Sequence, residues 1–166
     1  MRIVVDTGVL VSASLFESGV PREALTYLLT LHTPVVSREL MREYRRVMAS
    51  TKFDSYTQPR ERQILLETYT EGAEHIKISG TLRVCRDPRD DMVIETALEG
   101  NADILVTGDT DILALRPMKG ISIMTPSEFV AIVCYQQGDG WTAHVMEKYG
   151  NLRASKQKKK RRSPGK

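Results

Sequence analysis

The chain has 166 residues, of which 41% are hydrophobic and 27% charged, and a formal net charge of +3. That is the length of one domain with a sizeable core, and no apolar run approaches the roughly 20 residues that a membrane-crossing helix needs. Met1-Arg2-Ile3-Val4-Val5-Asp6 meets an acid too early for a secretory signal, and Cys85 and Cys134 form neither a metal-type cluster nor a disulfide framework, so the expected location is the cytoplasm.

Arg2 to Val5 is a short β-branched run ending at an acid and predicts a buried first strand. Pro21 to Leu31 predicts a helix with Ala24, Leu25, Leu28 and Leu29 on one face. Pro34-Val35-Val36 predicts a second strand, and Ser37 can cap a following helix that turns Leu40, Tyr44 and Val47 inward. Lys52 to Gln58 reads as a polar connector, and changing Asp54 within it is expected to do little to catalysis. Pro59 opens a helix with Ile64, Leu65 and Tyr69 inward, and Glu74 to Ile78 is a candidate strand.

Arg83 to Arg89 reads as a loop. Asp90 or Asp91 starts a helix to Glu99, which Gly100-Asn101 stops. Asp103 to Thr107 is the clearest strand, Ile112 to Leu115 a short turn, Ile121 to Met124 a last strand, and Pro126 to about Tyr135 a last helix. Helices alternating with short buried strands predict an α/β fold with a mostly parallel sheet covered on both faces.

Charge is unevenly divided. Arg153, Lys156, Lys158, Lys159, Lys160, Arg161, Arg162 and Lys166 give the last fourteen residues eight positive charges and no acid. Subtracting those eight from the net +3 leaves about −5 for residues 1–152. The expected organisation is a domain over 1–152 and a basic, disordered tail over 153–166, with Trp141 to Leu152 still able to pack on the domain.

In an open α/β sheet, ligands bind beyond the carboxyl ends of the strands. Asp6 ends the first strand, Asp109 lies just past the strand that ends at Thr107, Asp90 stands at a helix entrance, and Glu43 is on the helix after the second strand. The topology can bring all four to one end of the sheet. Four carboxylates share a small site only if cations neutralise them, and oxygen-only donors suit Mg²⁺ or Mn²⁺. Such ions can activate water and steady the charge that develops when a phosphodiester is attacked.

Asp6-Thr7-Gly8-Val9-Leu10-Val11-Ser12-Ala13 resembles the opening of PIN-domain nucleases. Ser37 to Glu43 is similar to their second acidic segment, Asp87 to Ala97 to the third, and Val106-Thr107-Gly108-Asp109-Thr110-Asp111 to the fourth. The likeness spans roughly residues 1–135. It implies a PIN-like open sheet of about five mostly parallel strands flanked by helices. It also implies metal-dependent endonucleolytic cleavage of RNA, often by the toxin of a VapBC-type toxin–antitoxin module, with a cognate antitoxin protein as partner and frequent homodimerisation.

By that analogy Asp6, Glu43, Asp90 and Asp109 are the metal ligands and catalytic acids, with Glu43 either a ligand or the residue that orients water. Thr107 is a catalytic candidate whose hydroxyl bonds a water or phosphate, or else simply satisfies a strand end. Asp87 and Asp111 either support the ligands or recruit a second ion, and Asp91 is the alternative to Asp90. In one departure from the pattern, Gly8 stands where members usually carry Asn. His32, His75 and His144 share no spacing that suggests a general base. Lys158, Lys159, Lys160, Arg161 and Arg162 are the expected RNA-binding block, attracting phosphates by counterion release without reading sequence.

The expected function is therefore a metal-dependent endoribonuclease acting on single-stranded or structured RNA. The alternative is a catalytically weak or inactive PIN-like module that binds RNA or docks a protein. A DNA nuclease or a phosphatase is a third class. A dehalogenase-type phosphatase would want a second acid where Gly8 stands, and a receiver domain would want paired acids near the first strand.

Overall fold

The structure, a computed structural model, describes residues 1–118 and 120–137. In chain order the elements are β1 (Arg2–Val5), α1 (Thr7–Leu15), α2 (Val20–Leu31), β2 (Thr33–Ser37), α3 (Arg38–Met48), a 3₁₀ turn (Thr51–Phe53), α4 (Pro59–Glu71), β3 (Glu74–Ile76), α5 (Pro88–Glu99), β4 (Ile104–Val106), α6 (Thr110–Leu113), β5 (Ser122–Met124) and α7 (Pro126–Gln137). The proposed domain boundary at 152, the packing of Trp141 to Leu152 and the basic tail all lie outside the described residues.

The five strands pair in parallel in the order β3-β2-β1-β4-β5. Ile3, Val4 and Val5 in β1 and Ile104, Leu105 and Val106 in β4 are each at most 4% exposed, which is why these strands read as unbroken apolar runs rather than alternating ones. The chain steps outward from β1 through β2 to β3, then returns to the other side of β1 for β4. The direction of winding therefore reverses between β1 and β4, the position where such sheets open a crevice at their carboxyl ends. Val5 lies opposite Val106 across that seam, so the residues that follow each strand, Asp6 and Thr107, emerge side by side.

Local chemistry fixes the helices that carry the acids. Ser37 caps α3, its Oγ accepting from the Leu40 amide at 3.1 Å. Asp87 caps α5 by accepting from the Arg89 amide at 2.9 Å, with Pro88 in the first turn. The helix thus begins at Pro88, two residues before the start expected at Asp90. Gly100 closes it, and a Cβ there would lie 2.6 Å from both the Thr96 carbonyl oxygen and a Val35 methyl, so only glycine lets α5 end against β2.

Two expectations are corrected. Thr7–Leu15, where no element is expected, is a helix. Val9, Leu10, Val11, Ala13 and Ser14 are buried, and its less buried positions include Thr7, Gly8 and Ser12 but no charged residue, so no charged stripe reveals its period. On α4, Ile64 is 51% exposed, and the inward face is Arg62, Leu66 and Tyr69.

The connector acid Asp54 has a structural partner. Arg62 is 1% exposed and donates to the Met48 carbonyl at 2.9 Å, the Thr57 carbonyl at 2.6 Å and Asp54 Oδ1 at 2.6 Å, stitching the end of α3 and the connector to α4. Asp54→Asn leaves that guanidinium buried without its countercharge. It should lower unfolding free energy by about 1–3 kcal/mol, measured by urea denaturation. A change within error would show that the Met48, Thr57 and Ser50 carbonyls alone satisfy Arg62.

Candidate active site

The seam between β1 and β4 places Asp6 and Thr107 in direct contact. The Asp6 amide donates to the Val106 carbonyl at 2.9 Å, and the Thr107 amide to the Met124 carbonyl at 2.9 Å, which pins both residues to the sheet. Thr107, fully buried, donates its hydroxyl proton to Asp6 Oδ2 at 2.8 Å. The same hydroxyl accepts from the Asp109 amide at 2.9 Å, so its proton is left to point at Asp6. Asp109 in turn caps α6, its Oδ1 accepting from the Asp111 amide at 2.7 Å. A single threonine therefore couples the acid after β1 to the turn carrying the acid after β4.

Beneath this pair, Tyr44 of α3 is fully buried, stacks edge-on against Tyr69 at 5.8 Å, and donates to the carbonyl of Val5, the residue before Asp6. The sequence marked Tyr44 only as core. Its role in fixing the end of β1 depends on a bond to backbone, which no side-chain pattern reports.

Burial raises the pKa of Asp6, and the charge of Asp109 adds to the effect. The Thr107 hydroxyl and the Gly8 and Thr7 amides pull the other way. Asp90, half-buried in the first turn of α5, is pushed up to about 6, first by burial and then by the charges of Asp109, Asp87, Asp6 and Asp111. That set of influences places Asp90 in the electrostatic company of Asp6 and Asp109 although the three come from distant parts of the chain. A side chain at Gly8 would find room: a Cβ there would lie 3.7 Å from Asp6 Oδ2, an ordinary contact.

The other expected residues have different surroundings. Glu43 is held by Arg46, which donates through Nε at 2.9 Å and Nη2 at 2.7 Å. Asp87 pairs with Arg89 at 2.7 Å and Asp111 with Arg86 at 2.8 Å.

Asp91 is turned away from the acids. It is 2% exposed, and its Oδ1 accepts from the Val84 and Cys85 amides at 2.8 Å each, which hold its carboxyl below the usual range. Of the two neighbours, Asp90 is the one on which the charges of Asp6 and Asp109 act, whereas the Asp91 Oδ1 is engaged by backbone amides. One turn further along α5, the buried carboxylate of Glu95 accepts from the Ser79 hydroxyl at 2.5 Å and the Gly80 amide at 2.9 Å. Burial works to raise its pKa, but these donors outweigh it and the net shift is downward. Asp91 and Glu95 together tie the 79–85 segment to α5. The sequence offered no signal for this clamp, because acids on a helix read as solvated. Burial and the neighbouring Asp91, Asp90 and Asp109 charges push the Cys85 thiol up to about 12, so it is no nucleophile.

Two grooves lie elsewhere: one of about 380 Å³ bordered by Phe16, Arg22, Tyr56 and Ile64, the other of about 490 Å³ between α3 and α4. Neither includes Asp6, Asp90 or Asp109. Asp6 and Asp109 follow the carboxyl ends of β1 and β4.

A family model described as PIN domain matches residues 2–111. The chain belongs to the PIN-domain family. This PIN domain is 28% identical over 142 residues to an uncharacterized protein of Methanocaldococcus jannaschii, across 78% of this chain and 90% of the relative. Its fold is similar to the crystal structure of VapBC2 from Rickettsia felis bound to a DNA fragment from their promoter. The TM-score there is 0.52 at 16% identity, covering 75% of this chain and 98% of the other, a likeness of fold alone. PIN domains are generally nucleases and generally use divalent metal.

The donor chemistry of Asp6, Asp90 and Asp109 fits a hard divalent cation. All the donors are carboxylate oxygens, and burial and mutual repulsion disfavour ionising Asp6 and Asp90, a strain that a cation would relieve. Among the described residues no three Asp, Glu, His or Cys side chains already stand as a preassembled ligand group. Among the described residues no helix is long and apolar enough to cross a membrane.

Proposed function

We propose that this PIN domain is a metal-dependent endoribonuclease that hydrolyses phosphodiester bonds of single-stranded or structured RNA. The observation that carries the reading is the convergence of Asp6, Asp90 and Asp109, from three separate segments, on the reversal point of the sheet, with Asp90 pushed up to about 6. Asp6, Asp90 and Asp109 would hold Mg²⁺ or Mn²⁺, with Glu43 as a further ligand or the residue that orients water. Bound there, the ion supplies positive charge to activate water and to stabilise the phosphorane-like charge of the attacked phosphodiester.

The chain's own residues do the positioning. Thr107 fixes Asp6 Oδ2, and the Gly8 and Thr7 amides help to orient the same carboxylate. The α6 cap fixes Asp109. Arg46 holds Glu43 as a rigid unit, so that one fewer long side chain must be ordered when substrate arrives.

The likeness to a VapBC complex supports a toxin role, with an antitoxin protein as partner. A homodimer is part of the same proposal. A second reading, a PIN-like module of weak or absent activity that binds RNA or a protein, is favoured by Gly8 and by the lack of a preassembled ligand group among the described residues.

Incubation with single-stranded RNA, matched DNA and a phosphomonoester, each with Mn²⁺, Mg²⁺ or chelator, separates these readings. RNA fragments with either metal and none with chelator are expected. Intact RNA in every condition would put the non-catalytic reading first, and preferential loss of DNA would make this a DNA nuclease.

The basic tail is proposed to attract RNA. Truncation after Leu152 should weaken RNA binding and flatten its salt dependence, each lost single-strand phosphate contact lowering the log–log slope by roughly 0.7. Cleavage of bound RNA should persist, because no proposed metal ligand lies in the tail. Unchanged affinity and slope would leave the tail, with its Lys158 to Arg162 block, without an RNA role.

A further inference from the structure

Three arginines with mostly exposed side chains surround the acids: Arg46 at 63%, Arg86 at 86% and Arg89 at 71%. Each is tethered to a carboxylate at the edge of the site. Arg46 Nη2 lies 2.7 Å from Glu43 Oε1, Arg86 Nη2 2.8 Å from Asp111 Oδ2, and Arg89 Nη2 2.7 Å from Asp87 Oδ2. The three come from different places (α3, the segment before α5, and the first turn of α5), yet they share one field. Arg89 feels Glu43 and Asp90 besides its own partner, and Arg46 and Arg89 oppose each other's charge. Asp87 and Asp111, which tether two of the arginines, both act on Asp90.

A carboxylate pocket by itself repels a polyanion. Guanidinium groups just outside it offset part of that repulsion where a nucleic-acid backbone would first arrive. Exposed ion pairs of this kind contribute little to the fold, and the guanidinium fork fits a phosphate as well as a carboxylate. Exchanging Asp87 and Asp111 for phosphodiester oxygens therefore costs little.

We propose that Arg46, Arg86 and Arg89 form a phosphate-binding rim that lays the backbone of a single-stranded nucleic acid across the carboxylate pocket without reading its sequence. The proposal rests on the nuclease reading of Asp6, Asp90 and Asp109. The exchange also frees the Asp87 and Asp111 carboxylates beside Asp90, so occupation of the rim increases negative charge at the site where a cation is needed. Backbone binding and divalent-cation binding are then mutually favourable.

The test measures binding of the full chain to fluorescent single-stranded RNA in chelator, as a function of salt. The Arg46→Gln, Arg86→Gln, Arg89→Gln triple variant should bind more weakly and lower the log–log salt slope by about 2, roughly 0.7 for each lost contact. Single variants, each lowering the slope by roughly 0.7, carry the same test if the triple variant does not fold. The corresponding Arg→Lys triple variant keeps the charge and should keep most of the slope.

Lys52→Gln with Arg60→Gln removes one charge from the 3₁₀ turn and one from the first turn of α4 and should leave the slope unchanged. A triple variant with the wild-type slope, a Lys52/Arg60 variant with an equal loss per charge, or a wild type that does not bind RNA would each overturn the rim. If the wild type cleaves RNA with Mn²⁺ while the triple variant keeps its slope, the rim fails and the nuclease reading stands. If the slope falls as expected but no metal supports cleavage, the rim stands and the nuclease reading fails.

Discussion

Asp6→Asn, Asp90→Asn and Asp109→Asn should each reduce RNA cleavage by about a hundredfold or more while leaving the circular dichroism spectrum unchanged. The floor comes from residues that only support metal ligands, whose loss typically costs about 10–100-fold; loss of a ligand should cost at least the upper end. Thr107→Val tests the supporting layer directly. It removes the only hydroxyl that donates to Asp6 Oδ2 in the structure and the acceptor for the Asp109 amide, at nearly constant volume. Cleavage should fall by about 10–100-fold with a higher half-saturating Mn²⁺ concentration, a shift that a purely structural hydroxyl would not produce.

Asp91→Asn should behave differently from its neighbour. It strikes the clamp on the Val84 and Cys85 amides, so its first effect is on stability, with cleavage per folded molecule less affected. Wild-type activity in Asp90→Asn together with a dead but folded Asp91→Asn would show that the facing neighbour has been misassigned.

What the sequence disclosed follows from how far each signal reaches. Strands buried on both faces announce themselves as apolar runs, so β1 and β4 were legible, and with them the position of Asp6 and Asp109 at strand ends. Caps are local too, and Ser37 and Gly100 act where their residue types suggested. α1 was illegible because its outward positions carry glycine and small hydroxyl residues rather than charges. The inward face of α4 differs from the expected one because Arg62 turns inward, its guanidinium satisfied by carbonyls and Asp54.

The acids show the same limit at the site. Spacing could place Asp90 and Asp91 together at a helix entrance, but which of them faces the pocket depends on the loop that the other one holds. The arginine rim escaped for a related reason. Arg46, Arg86 and Arg89 are scattered through the chain among other basic residues, and only their three carboxylate tethers bring them into one group.

Metal-free stability should fall as pH rises through the titration of Asp90. An unperturbed aspartate titrates at about 3.9, whereas Asp90 in the fold is pushed up to about 6. The folded protein therefore binds this proton more tightly than the unfolded chain does. The stabilisation is fully present below about pH 4 and is lost as pH climbs through about 6. Asp6, raised by its own burial, adds in the same sense. Asp91 and Glu95, whose carboxyls are lowered, act oppositely, and their contribution disappears as pH falls through their folded-state values.

Comparing wild type with Asp90→Asn isolates the first effect. The difference in melting temperature between them in chelator should be small near pH 4.5 and should favour the variant at pH 7, where the wild type carries a repelled carboxylate and the amide does not. Divalent metal should reverse that order. At a free concentration a hundredfold above its dissociation constant, one ion stabilises the folded wild type by about 2.7 kcal/mol, roughly 5–10 °C for a domain of this size, and Asp90→Asn should gain much less. Four melting curves at pH 7, each protein with chelator and with millimolar Mn²⁺, decide the matter. A wild type that gains nothing from Mn²⁺, together with an Asp90→Asn variant that melts lower in chelator, would mean that the carboxylates neither repel one another nor share a cation. The nuclease reading would then give way to a PIN domain that binds without cutting.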